Sequence, residues 1–114
     1  MTPKPFSAQV RIENQRVVID LQGEINAQAD EALNLAYAEA DSQNPKVIVL
    51  NFSGVDYINS TGIALIVGLL AQTRKTHRRL VVYGLSEHYV QIFQITRLSD
   101  FMDIFQDETS ALMN

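Results

Sequence analysis

From Phe6 onward the chain alternates. Phe6, Ala8, Val10 and Ile12 fall on one side, and Ser7, Gln9, Arg11 and Glu13 on the other. A period of two marks a strand with one face buried. Glu13-Asn14-Gln15 then supplies a turn, and Arg16-Val17-Val18-Ile19-Asp20-Leu21 returns as a β-branched strand, so the pattern predicts an opening hairpin. Gly23-Glu24-Ile25-Asn26 breaks the second strand, and Asn26 is a good N-cap for a helix running to about Ala40. Asp30 and Glu31 lie near the positive end of its dipole, and Ala29, Leu33, Ala36, Tyr37 and Ala40 recur at helical spacing. Asp41-Ser42-Gln43-Asn44-Pro45 ends it, because proline and its predecessor both disfavour continuation.

Val47-Ile48-Val49-Leu50 is continuously apolar, the pattern of a central strand covered on both faces, and that strand is expected over Lys46–Phe52. Ser53–Asn59 reads as a loop and Ser60 or Thr61 as the start of a second helix reaching His77. Arg79–Tyr83 is the next buried strand, closed by Gly84. Ser86 caps a third helix whose core face is Tyr89, Val90, Ile92 and Phe93; Leu98 and Phe101 lead to a short strand near Met102–Phe105, and Asp107 begins a terminal helical turn. The order β-β-α-β-α-β-α-β-α predicts an α/β fold: a mixed sheet with an antiparallel N-terminal hairpin and right-handed crossovers. Residues 1–5, with Pro3 and Pro5, read as a short tail, and 6–114 as one domain.

Composition narrows the function. At 114 residues the chain is long enough for one domain with a real core. It has no cysteine, which excludes disulfides and thiolate-bound metals. His77 and His88 stand at no ligand or catalytic spacing, so neither a metal centre nor a catalytic group is expected. Nine basic against thirteen acidic residues give a net charge of −4, which speaks against direct nucleic-acid or anionic-membrane binding. The longest apolar stretch, Ile63–Ala71, falls well short of the ~20 residues that span a bilayer, and the start lacks a signal peptide's apolar core. A cytoplasmic protein is expected. Arg74, Lys75, Arg78 and Arg79, with His77, form the one basic cluster, read as cations complementing a helix end.

Chemistry is best placed at Asp56-Tyr57-Ile58-Asn59-Ser60-Thr61-Gly62-Ile63, beyond the carboxyl end of the central strand. A phosphate attached to a hydroxyl here would meet free backbone N–H groups and a positive helix end. The same residues also make an ordinary helix start, with Asn59 or Ser60 as N-cap and Gly62 permitting tight packing. Further along, Ala64, Gly68 and Ala71 form a small-residue stripe with Ile63, Ile66, Val67 and Leu70 beside it. That stripe reads as close packing on the sheet, with admission of a partner helix as the other option. Asp20, Glu24 and Asp56 have no nucleophile to serve. The chain lacks GxxxxGK[ST] and GxGxxG, so a nucleotide-binding enzyme is the weaker rival.

Residues Val47–Phe105 resemble the STAS domain, specifically the bacterial anti-anti-sigma factors. The likeness lies in Val47–Leu50, the spaced Phe52 and Val55, Ile58-Asn59-Ser60-Thr61-Gly62, the helix Ile63–Leu70, the strand Leu80–Tyr83, and Phe93-Gln94-Ile95-Thr96-Arg97-Leu98. Upstream, Val18–Ile25 looks like the family's second strand and glycine turn. The resemblance implies a binding protein without catalytic residues. It also implies a partner that is both anti-sigma factor and ATP-dependent serine kinase, a serine phosphatase that reverses its action, and release of a sigma factor by the unphosphorylated form. Ser60 takes the place of the phosphorylated serine, with Thr61 as fallback. Gly23, Glu24, Asn26, Asp56, Asn59, Thr61 and Gly62 would border the partner surface. No cofactor is implied, since ATP belongs to the partner kinase. The departure is Asn59, where many members carry aspartate: asparagine keeps the size and capping ability and removes a charge. The alternative is a STAS scaffold or accessory subunit of a non-sigma signalling or lipid-transport complex.

Overall fold

In the computed structural model, which describes residues 5–13 and 15–113, five strands stand side by side in chain order. All of the expected N-terminal tail except Pro5, and Asn14 of the hairpin turn, lie outside the described residues. Strand β1 (Ser7–Glu13) pairs antiparallel with β2 (Arg16–Ile25), and β3 (Val47–Ile58), β4 (Arg79–Tyr83) and β5 (Asp103–Phe105) follow in parallel. Helix α1 (Asp30–Ser42) links β2 to β3, α2 (Ser60–Lys75) links β3 to β4, and α3 (Glu87–Ile95) links β4 to β5. A last helix, α4 (Glu108–Leu112), follows β5. Each crossover steps to the next strand in the same direction, and crossovers of one hand then place α1, α2 and α3 on the same face.

That face holds the main core. Ile19, Leu21, Ile48, Leu50, Phe52 and Val82 of the sheet meet Leu33 and Tyr37 of α1, Ile66 and Leu69 of α2, and Phe93 of α3. Phe52 and Phe93 meet edge to face, with ring centroids 6.2 Å apart. On the other face Val18, Val49 and Val81 are fully buried with Ala111 of α4. The uninterrupted apolar run at Val47–Leu50 is thus explained: both of its faces are covered.

A helix of five residues has little stability of its own, and α4 is held by contacts outside itself. Arg11 on β1 reaches across the sheet, donating to Asp20 (2.7 Å) and to Tyr83 (3.2 Å), and pairs with Glu108 of α4 (2.6 Å). Asn51 donates to the other oxygen of Asp20 at 2.7 Å. Burial pushes the Asp20 carboxyl up, but the hydrogen bonds from Arg11 and Asn51 and the Arg11 charge outweigh it, leaving the group below its ordinary value. The bond to Asp20 is likewise the largest reason that the Arg11 guanidinium is held above its ordinary value.

Several boundaries differ from the expected ones. Strand β2 does not break at Gly23 but continues to Ile25, and the expected loop from Ser53 is strand as far as Ile58. These tails pair with each other, Glu24 with Tyr57 and Ile25 with Ile58, after two shifts of register. Gly23 has φ of +90°, a conformation open to glycine at low cost, which lets the strand kink and continue. Asn26 caps a short 3-10 turn, Ala27–Ala29, which leads into α1. Helix α2 ends at Lys75, two residues early, because His77 adopts a left-handed φ of 59°. The small-residue stripe is the largest correction. Ala64, Gly68 and Ala71 face solvent, and a Cβ on Gly68 would meet nothing within 4 Å. The bulkier Ile66, Leu69 and Leu70 fill the space against the sheet instead.

Asp20 yields a prediction with a definite sign. Its folded pKa lies below the ordinary value of 3.8, so it adds stability above that value and loses it as pH falls through the folded value. Asp20→Asn should lower stability at neutral pH and flatten the decline between about pH 5 and about pH 2. Urea unfolding across that range measures it, and an unchanged acid limb would refute the role.

Candidate functional site

The site is built where β3 passes into α2. Asn59 is extended (φ −88°, ψ −178°), and its Oδ1 accepts from the N–H of Gly62 at 2.8 Å while its carbonyl accepts from Ile63 at 2.9 Å. Asn59 is therefore the N-cap, and Ser60 is the first helical residue. The Ser60 and Thr61 side chains are exposed and make no hydrogen bond among the described residues. A free hydroxyl thus stands at the positive end of a 16-residue helix.

Neighbouring elements fix this turn in place. The Asn59 N–H donates to the Ile25 carbonyl at 3.2 Å, tying the turn to the end of β2. Gly62 is buried on that same carbonyl. An added Cβ would overlap the Ile25 oxygen and stand 2.9 Å from the Ile58 methyl, so the close approach requires glycine. From the opposite side, the Tyr89 hydroxyl of α3 accepts from the Ile58 N–H at 2.8 Å and donates to the Ile58 carbonyl at 3.2 Å.

Of the residues expected to border a partner, the structure gathers Glu24, Asn26, Asp56, Asn59 and Thr61 around Ser60 at the carboxyl edge of β2 and β3. Asp56 and Thr61 are exposed, and Glu24, Asn26 and Asn59 are half-buried. Asn26 also accepts from the Gln28 N–H at 2.9 Å. Gly23 and Gly62 are buried, and they shape the backbone beneath this surface. Tyr57, in the expected segment but not among the expected border residues, is 51% exposed beside Asp56. The outer face of α2 continues from Ser60 through Ala64, Val67, Gly68 and Ala71, all exposed at helical spacing. No lysine or arginine occurs in 17–45 or 47–73, so the segments forming the site carry no cation.

The other candidates lie elsewhere. His77, in the turn after α2, and His88, on α3, are both exposed. Arg78 pairs with Asp41 at 2.8 Å, Arg79 pairs with Asp103 at 2.6 Å, and Arg74 lies over the Phe101 ring at 4.7 Å. The basic cluster is thus largely engaged within the protein. Among the described residues no group of three or more His, Asp or Glu side chains is placed to hold a metal ion. No helix among them is long and apolar enough to cross a membrane.

Tyr89 and the Ile25 carbonyl are the members of the site that the sequence does not announce. The one hint is a tyrosine where phenylalanine would fill the α3 core face equally well. A main-chain oxygen leaves no mark at all.

A five-strand mixed sheet with its crossover helices on one face, and a capped, serine-bearing helix start at its carboxyl edge, defines a class of small α/β domain. The STAS domain model matches residues 7–111, and the chain belongs to the STAS domain family. It is 29% identical over 92 residues to the anti-sigma-B factor antagonist of Listeria monocytogenes, covering 81% of each chain. Its fold matches an anti-sigma factor antagonist from Mycobacterium paratuberculosis with a TM-score of 0.82 at 18% identity, over 96% of this chain and 92% of that one. It also matches the phosphorylated form of the Bacillus cell-fate determinant SpoIIAA, with a TM-score of 0.68 at 24% identity, over 91% and 96% of the two chains.

The geometry predicts a graded series at the turn. Gly62→Ala should cost about 1–3 kcal/mol, because the methyl group would press on the Ile25 backbone and on the Ile58 side chain. Asn59→Ala should cost about 1 kcal/mol through loss of the cap, and Asn59→Asp should cost nothing. Urea midpoints of the three variants decide it, and equal midpoints for Asn59→Ala and Asn59→Asp would show that the cap contributes nothing.

Proposed function

We propose that this chain is a phosphorylation-controlled anti-sigma factor antagonist, acting by binding rather than catalysis. In this reading it is cytoplasmic, and its partner is an anti-sigma factor that is itself an ATP-dependent serine kinase. The unphosphorylated chain binds that partner and frees a sigma factor; phosphate on Ser60 ends the binding, and a serine phosphatase restores it. ATP is bound by the partner.

One observation carries the reading. The Ser60 hydroxyl is exposed and makes no hydrogen bond among the described residues at the first position of α2, because Asn59 does the capping. A phosphate there adds about −1.5 to −2 charge, and the helix end accommodates it without refolding. At an interface the same group is a bulky anion where a small hydroxyl had been, and the site's own segments offer no cation to answer it. The exposed apolar and small residues of α2 extend the docking surface away from Ser60.

The test uses Ser60→Ala and Ser60→Asp as bait in lysate. Ser60→Ala should retain a partner with serine-kinase activity and Ser60→Asp should lose it. Equal recovery would defeat the switch, and recovery of a transporter or signalling complex without a kinase would favour a scaffold role. After incubation with ATP and the captured kinase, phosphopeptide mass spectrometry should place the phosphate on Ser60 rather than Thr61.

A further inference from the structure

Strand β3 outruns β4. Their pairing ends at Asn51 with Tyr83, whereas β3 continues along β2 to Ile58. Within a strand the N–H and C=O of one residue point to the same side, and the next residue's point to the other. The Asn59 N–H points to β2, where it finds Ile25. The two main-chain groups of Ile58 therefore point the other way, to the side that β4 has already left. Both are buried, Ile58 being 4% exposed, and a buried peptide group without a partner is costly. Tyr89 takes the place of the missing strand: its one hydroxyl accepts from the Ile58 N–H and donates to the Ile58 carbonyl.

We infer that Tyr89 is a positioning residue for the Ser60 site, acting through the Ile58 peptide. The inference rests on the reading of Ser60 as the contact point with a partner. Without the hydroxyl, the Ile58 peptide has reason to turn toward water at the carboxyl edge of the sheet. Asn59 is its direct continuation, so the cap and the orientation of Ser60 turn with it. The ring alone is not enough. Tyr37 is a second buried tyrosine, 5% exposed, and its hydroxyl finds no hydrogen-bond partner among the described residues. Burial in this core therefore does not by itself require the oxygen, and Tyr37→Phe is a matched control.

Amide hydrogen exchange measured by NMR tests the assignment. In Tyr89→Phe the amides of Ile58 and Gly62 should exchange about tenfold faster relative to those of Val49 and Val81, the shift expected of a local opening. Tyr37→Phe should leave that ratio unchanged. Adding Asn59→Ala to Tyr89→Phe should raise Gly62 exchange less than Asn59→Ala does alone, because both act on one bond. A Gly62 rate that moves only with the core amides, an equal effect of Tyr37→Phe, or strict additivity would each overturn the inference. As bait, the double variant Ser60→Ala/Tyr89→Phe should retain less of the kinase-type partner than Ser60→Ala, and equal retention would overturn the link to binding. If Ser60→Ala and Ser60→Asp prove equivalent, the switch reading falls, while the exchange data still decide whether Tyr89 sets the turn.

Discussion

Beyond Asn51 the strand β3 has a neighbour on one side only, and the site is shaped by what that arrangement demands. On the β2 side the demand is met by an extension of that strand, which needs a kink at Gly23. Because Ile25 is carried so far, α2 must begin directly against its carbonyl, and only glycine at position 62 allows that approach. On the other side the buried peptide of Ile58, left without a strand partner, falls to a side chain from α3. Three separate elements therefore converge on one turn. A helix start tied to β2 directly and to α3 through Ile58 has a fixed place at the edge of the sheet.

The two faces of the sheet have different roles. The helix-bearing face supplies most of the core and, through α2 and α3, the site. The reverse face is closed by α4, held by apolar contacts at Ala111 and by the Arg11 ion pair with Glu108. Arg11, Asp20, Asn51 and Tyr83 run across four strands there and satisfy one another's polar groups. Such a network gives the reverse face fixed geometry, while Glu24 and Asp56 at the carboxyl edge have no ion-pair partner among the described residues.

Much of this was legible in the order of residues. Alternation from Phe6 and the apolar run Val47–Leu50 mark strands that form where expected, because both patterns report contact with the core, and Ser86 marks a helix start because its side chain accepts from the Tyr89 N–H. The tails of β2 and β3 were not legible. Gly23-Glu24 and Ser53-Gly54 have poor strand propensity, and their pairing with each other depends on a register that no local pattern encodes. Asn59 and Ser60 are both good caps, so sequence leaves their order open; the extended backbone at Asn59 decides it. The stripe Ala64-Gly68-Ala71 misleads for a related reason. Small size permits close packing without requiring it, and the adjacent Ile66, Leu69 and Leu70 have more apolar surface to bury.

That Asn59 caps and Ser60 does not has a consequence for any switch at this turn. Were Ser60 the cap, its oxygen would be committed to a main-chain N–H. Esterifying it would then change the bond that starts the helix, putting a charged phosphate where the capping hydroxyl had been before any partner is involved. Modification would then act on the fold. With the capping oxygen on the preceding residue, Ser60 can gain or lose a phosphate while the Asn59–Gly62 bond stays intact. The charge changes, the helix start does not, and the whole effect is available at the surface. Under the proposed switch, separating the residue that holds the turn from the residue that is modified would let a small domain change its binding without changing its structure.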